Sequence, residues 1–323
     1  MAKPYKTISY AKYGYLFSIP FIVAFLIFSL YPTIYTIVLG FTDCRGLGNT
    51  EWKILDDPFL NFKEVLDNPS FINSLKNTGL IWLLNFFPQL ALALILTAWF
   101  TSHSVKLKGV GFFKVIFYMP NIITASTVAI LFLTLFGYPK GPINDLLIDV
   151  GILDEVYEFT NNKIAAKLIV AFIQFWQWYG NTMIVLIAGV LGISPDIYEA
   201  AQIDGANGIQ TFFRITLPNL KTILLYTLIT SLVGGLNMFD IPKLFLDGKP
   251  DGATETVSLF IYNQAFSGRY MYNRAAAASM FLFAIIGICT AILFYIMRDK
   301  DEIAEKRERR LQEKARRLSG KEI

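Results

Sequence analysis

Six stretches of this sequence are long, apolar and free of Asp, Glu, Lys and Arg: residues 15–39, 77–100, 115–136, 168–193, 222–239 and 275–297. A hydrocarbon core of about 30 Å needs roughly 20 helical residues to cross it, so each stretch predicts one span. The chain is 54% apolar, with a mean hydropathy of +0.47, and it reads as an integral membrane protein. The fold class predicted is all-α: a polytopic membrane protein with six transmembrane helices. Uncharged spans also exclude a chemistry. An ionised side chain at a span centre costs roughly 2.5 to 3.5 kcal/mol, and proton pumps carry one there; no such relay is visible here.

Charge gives the orientation. The N-terminus, the second and fourth loops and the tail hold 18 of the 29 Lys and Arg, while the other loops hold 11 together with 15 of the 25 acids. Positive excess marks the cytoplasmic side, which places both termini and the fourth loop there. Three regions result: a cytoplasmic N-terminus (1–14), a six-span transmembrane domain (15–297) containing the loop 194–220, and a charged cytoplasmic tail (298–323). The first span has no small-residue cleavage pattern and reads as a retained anchor. The tail mixes ten basic and seven acidic residues and reads as a solvated helix with pairs such as Glu305 and Arg309. Its basic residues alternate with acids and carry no interleaved aromatic platform, which argues against nucleic-acid binding.

Few groups suit bond chemistry. The single histidine, His103, has no partner motif, and metal-ligand spacings are absent from the spans. Cys44 falls in an outer loop and Cys289 inside the last span, so geometry argues against a bridge. No GxxxxGK[ST] phosphate loop is present.

The loop 194–220 is the one long polar-apolar mixture between two apolar segments. Ser194 with Pro195 predicts a capped helix start, and Asp196 suits its first turn. Ile197, Ala200 and Ala201 are expected on one face, with Gly205 and Asn207-Gly208 supplying the stop and turn. A second short helix should then run over 209–216 and carry Phe212 and Phe213. The order Glu199-Ala200-Ala201, Gly205, Ile215, Leu217-Pro218 resembles the EAA signature of the membrane subunits of bacterial ABC importers, and residues 15–297 resemble their maltose-transporter-type sugar permeases. The resemblance implies the type I ABC importer permease fold in the bacterial cytoplasmic membrane. It makes the loop a coupling helix that docks a separate ATPase subunit through Glu199, Ala200, Ala201, Asp204, Gly205, Phe212 and Phe213. It also implies the partners: a second related permease, two ATPase subunits that bind ATP-Mg, an extracellular substrate-binding protein and a carbohydrate substrate. No cofactor is then expected in this chain, which would be a transporter subunit and not an enzyme.

A substrate path should lie near the middle of span four. If that span enters from outside at Leu168, about 1.5 Å per residue puts Tyr179 and Gly180 roughly 16 to 18 Å deep, where Trp178, Tyr179, Asn181 and Thr182 suit a wet cavity better than lipid. Trp176, Tyr179, Gly180 and Met183 share one helical face, the face that carries the sugar in the resembling family. Span five adds a stripe of Thr227, Ser231, Gly234, Gly235 and Met238, equally readable as a helix-packing face. Related sugar permeases have asparagine at the position of Gly235, and Asn237 is its candidate replacement. Pro88 and Pro120 predict kinks. The outer loops read as connections, with short helices near 61–66 and 257–266 and a further stretch at 143–157, and from the resemblance as a lid and landing surface for the binding protein. Two alternatives stay open. One is the same architecture for another solute such as glycerol phosphate, which would call for arginine near the midplane; the other is an ion-coupled secondary transporter, which would call for buried carboxylates.

Overall fold

In a computed structural model the chain is described over residues 11–48, 51–102 and 108–297, with Glu308, Leu311 and Gln312. The tail pairing of Glu305 with Arg309, and His103, lie outside the described residues. All regular structure there is helical, apart from one isolated bridge between Thr42 and Ile54. In chain order, α1 (Ala11–Phe25) runs through a π turn at Leu26–Leu30 into α2 (Tyr31–Leu39). Next come α3 (Leu60–Leu66), α4 (Pro69–Phe100), α5 (Val110–Ile122), α6 (Ala125–Leu135), α7 (Pro142–Asp149) and α8 (Lys163–Leu191). The fourth loop forms α9 (Pro195–Ile203), α10 (Gly208–Thr211), a π turn at Phe212–Thr216 and α11 (Leu217–Asn219). The chain continues with α12 (Lys221–Leu236), α13 (Asp240–Phe245), α14 (Val257–Phe266) and α15 (Tyr272–Met297).

Four helical segments are long and apolar enough to span a membrane, and two bent helix pairs bring the total to as many as six. Two expected spans are interrupted. The third breaks between α5 and α6 with a bend of 89°. Ile123 and Thr124 turn extended there, and Thr124 Oγ1 restarts the helix by accepting from the Thr127 N–H. The break comes three residues after Pro120, whereas Pro88 lies inside an uninterrupted α4. The fifth is interrupted at 237–239, where Asn237 caps α12 and returns its Nδ2 to the Val233 carbonyl at 2.8 Å. Proline alone therefore does not locate the breaks; the residues that can recapture the freed backbone groups do.

The chain divides into two compact units, residues 1–73 with 257–283, and residues 74–256 with 284–323. In the first, Asn61 is buried and donates to the carbonyls of Gly40 and Thr42 at 2.9 and 2.8 Å, while Asn273 donates to Asn61 Oδ1 at 2.9 Å. Arg274 Nε meets Glu64 at 2.6 Å. These loop residues are packed, not merely solvated connections. In the second unit, one apolar cluster joins Ile81, Val128, Phe132, Ile173, Ile241 and Phe245, and another joins Ala93, Tyr179, Met183, Leu186, Tyr198 and Leu220. Large apolar side chains remain exposed along the candidate spans, Phe17 and Phe283 among them. Contiguous apolar exposure of this kind is what lipid covers.

Candidate functional site

Helix α8 carries polar residues at 174, 177, 178, 181 and 182, a stripe at helical spacing, and with Val185 they form one wall of a cavity of about 550 Å³. The polar stripe covers eight residue steps, about 12 Å along the axis. Asn85 and Gln89 of α4, one turn apart, add a second wall. The third comes from Tyr226, Thr227, Thr230, Ser231, Gly234 and Gly235 of α12, and the interruption after it supplies Asn237 to Ile241. The short non-helical stretch at 237–239 thus adds Asn237 to Ile241 to the lining.

Part of the wall is fixed by its own hydrogen bonds. Gln89 Nε2 donates to Thr182 Oγ1 at 2.7 Å, Gln177 Nε2 to the Ile123 carbonyl at 3.3 Å, and Trp82 Nε1 to Ser231 Oγ at 3.4 Å. The Trp82 ring lies so close over Gly235 that any added Cβ would overlap it, which is why the position carries no side chain. Trp178 is 48% exposed. A ring together with amide and hydroxyl side chains in a concave wall suits a ligand with both apolar faces and hydroxyl groups.

At the far end of α8 the chain bends by 76° into α9. Pro195 and Asp196 occupy the first turn, although Ser194 sits at the cap position without a side-chain hydrogen bond. Gly205 takes the left-handed conformation at φ +76° and ends the helix. Asn207 does not share that role; it caps α10 through a reciprocal pair with Gln210, each bond 2.9 Å. The buried face of α9 is Tyr198 with Ala201, not the expected Ile197 and Ala200, which are exposed. Tyr198 is one aromatic ring that fills the apolar cluster and reaches Thr216 Oγ1 at 3.2 Å, and that contact fixes the helix roll. Glu199, Asp204 and Gly205 are exposed, Phe212 is half-buried and Phe213 exposed. Sequence reasoning missed Ile203, 86% exposed, and Ile209, 73% exposed.

Comparison with known proteins now decides the family. Residues 77–300 match the family described as binding-protein-dependent transport system inner membrane component. The chain belongs to this family of ABC importer permeases. The permease is 30% identical to the lactose transport system permease protein of Rhizobium radiobacter, covering 89% of this chain and 94% of that protein. It is 28% identical to the arabinooligosaccharides transport system permease protein of Bacillus subtilis, over 84% of each chain. A crystal structure of a bacterial ABC transporter that imports the acidic polysaccharide alginate matches with a TM-score of 0.73 at 26% identity, over 88% of this chain and 94% of that one. A related structure holds that transporter with its pentasaccharide-bound periplasmic protein. The protein is thus a multi-pass inner membrane component, working with an ATPase that binds ATP and with a binding protein.

The permease brings together six of the residues expected at the substrate path: Trp178, Asn181, Ser231, Gly235, Asn237 and Met238. The other four, Trp176, Tyr179, Gly180 and Met183, lie outside the cavity lining, on the packed side of α8. Trp176 packs edge-on to Phe132 at 5.8 Å, Tyr179 edge-on to Phe117 at 6.3 Å, and Met183 is fully buried. Gly180 is where α8 meets the Phe117-Tyr118 backbone, and a Cβ there would overlap the Phe117 carbonyl oxygen. That face is consumed in packing α5, so the opposite face lines the cavity. Asn85, Gln89, Gln174 and Gln177 went unselected although their spacing of three and four residues inside apolar runs was visible. Asp240 escaped because it lies one residue beyond the expected end of span five.

Proposed function

We propose that this permease carries a carbohydrate of oligosaccharide size through the cavity between α4, α8 and α12, forming half of a pathway completed by a second, related permease. The observation that carries the reading is the cavity itself: amide and hydroxyl side chains over about 12 Å of α8, with the exposed Trp178 as a stacking ring. A neutral glycan offers C–H faces to such rings and hydroxyls to such amides. The relatives named for lactose and arabinooligosaccharides support the class. Glycerol phosphate fits less well, since no Lys, Arg or His is among the lining residues to meet a phosphate.

In this reading both termini (1–14 and 298–323) and the loop 194–220 face the cytoplasm, where the loop seats in an ATPase subunit. Glu199, Asp204 and Gly205 sit at the rim of that contact, and Ile203, Ile209 and Phe213 supply its apolar centre. Closure of two ATPase subunits on ATP draws the two docking loops together and turns the cavity outward. This is rigid-body gating driven by chemistry elsewhere. The test is ATP hydrolysis and sugar uptake by the full importer in lipid vesicles, comparing wild type with Glu199→Lys and Gly205→Asp. Loss of coupling or release of the ATPase is expected; unaffected uptake without any ATPase would replace this account with a gradient-driven carrier.

A further inference from the structure

We propose that Asp240 sets a charge preference in the cavity, admitting uncharged and amino-bearing sugar units and excluding uronate-type units; this rests on the carbohydrate reading above. Asp240 is the one ionisable carboxylate among the lining residues, and it is exposed to the cavity at the start of α13. Among the described residues its side chain has no hydrogen bond or ion pair. The basic residue one turn on, Lys243, is engaged with Asp247 at 2.7 Å. The charge therefore faces the path without a cation to offset it.

A second feature places a ligand within reach of it. The lining runs from the exposed Trp178 of α8 to Phe239, next to Asp240 in the chain, so a chain of sugar rings that stacks on Trp178 and fills the space toward Phe239 carries its far substituents to the carboxylate. A second carboxylate there meets like charge at short range, whereas a hydroxyl can donate to Asp240 and an ammonium can pair with it, each at the reduced strength of a solvent-exposed contact. Specificity then comes from rejecting the wrong ligand as much as from holding the right one.

The test uses the complete permease–ATPase complex in lipid nanodiscs without binding protein, so that only the cavity discriminates. Probes are matched trisaccharides of glucose, glucuronate and glucosamine, each in α-1,4 and β-1,4 linkage, with binding read by equilibrium dialysis. Wild type is expected to bind the glucose or glucosamine member at least about tenfold more tightly than its glucuronate partner, and added salt should shrink that ratio. Asp240→Asn should bring the ratio near one, and Asp240→Glu, which keeps the charge, should preserve it. Equal binding of neutral and uronate probes by wild type, or an unchanged ratio in Asp240→Asn, overturns the proposal while leaving the carbohydrate reading intact. Failure of every probe to bind wild type and both variants overturns the carbohydrate reading and this inference with it.

Discussion

The cavity and the docking loop are built by opposite use of the same residue types. In the loop, polar side chains spend themselves locally: Asn207 with Gln210, Tyr198 with Thr216, Thr211 with the Asn207 carbonyl. What remains outward mixes charged residues such as Glu199 and Asp204 with large apolar ones, Ile203, Ile209 and Phe213 all more than half exposed. In the cavity, many apolar side chains pack behind the wall and a set of amide and hydroxyl side chains lines it, with Asp240 unpaired. The difference teaches where each contact draws its energy. A permanent partner is held by apolar burial, and a passing ligand by hydrogen bonds that are made and broken at little net cost.

The comparison can be broken at several points. The largest effect is expected where the two regions share a frame, at Gly180. A Gly180→Val side chain must displace the Phe117-Tyr118 backbone, and overpacking of this kind costs about 3 kcal/mol; thermal melting of the purified permease should drop by several degrees with both cavity and loop impaired. Next is the apolar loop surface. Ile203→Glu removes a side chain whose full burial is worth roughly 2 kcal/mol, so ATPase retention in a pull-down should fall at least tenfold while the permease melts normally. Gly205→Ala forces a Cβ into a left-handed turn and should cost roughly 1 kcal/mol in stability, with a smaller loss of ATPase binding. Thr227→Val should be near neutral or slightly stabilising, because no protein partner is lost, and should leave sugar binding within about twofold, since the hydroxyl is closed off from the cavity.

Outside both regions, Cys44 gives a pH-dependent control. Burial, reinforced by the neighbouring Asp43 carboxylate, raises its thiol above the ordinary range. A raised thiol contributes stability that is full below the unfolded value and is lost as pH rises through the folded one. Alkylation of Cys44 in folded protein should therefore stay slow at pH 8 and accelerate only on further alkalinisation, as mass spectrometry after timed labelling would show.

Much of this was legible in the residues. Uncharged apolar runs define the long apolar helices, and the Glu199 to Pro218 order, with Gly205 as the helix stop, points to the family that the comparisons show. The face of α8 was not legible, because aromatic residues lie on both sides of it. Trp176 and Tyr179 pack and Trp178 does not, and only the contact with Phe117 decides which. The roll of α9 was hidden for a similar reason: Tyr198 outweighs the smaller Ile197 and Ala200 once Thr216 is within reach. The 89° break at Ile123 and the interruption at Asn237 depend on side chains recapturing backbone groups locally, a choice that hydropathy does not record.

The two faces of α8 also offer the most direct test of the account. Uptake of a neutral oligosaccharide by the reconstituted importer should be compared for Asn181→Leu, on the cavity wall, and Met183→Leu, packed behind it. The cavity account predicts that Asn181→Leu lowers uptake about tenfold with the complex intact, since a polar wall group is lost, while Met183→Leu, a volume-conserving swap, keeps uptake within about twofold. Uptake that survives Asn181→Leu but collapses in a well-folded Met183→Leu complex would put the path on the opposite face and contradict it.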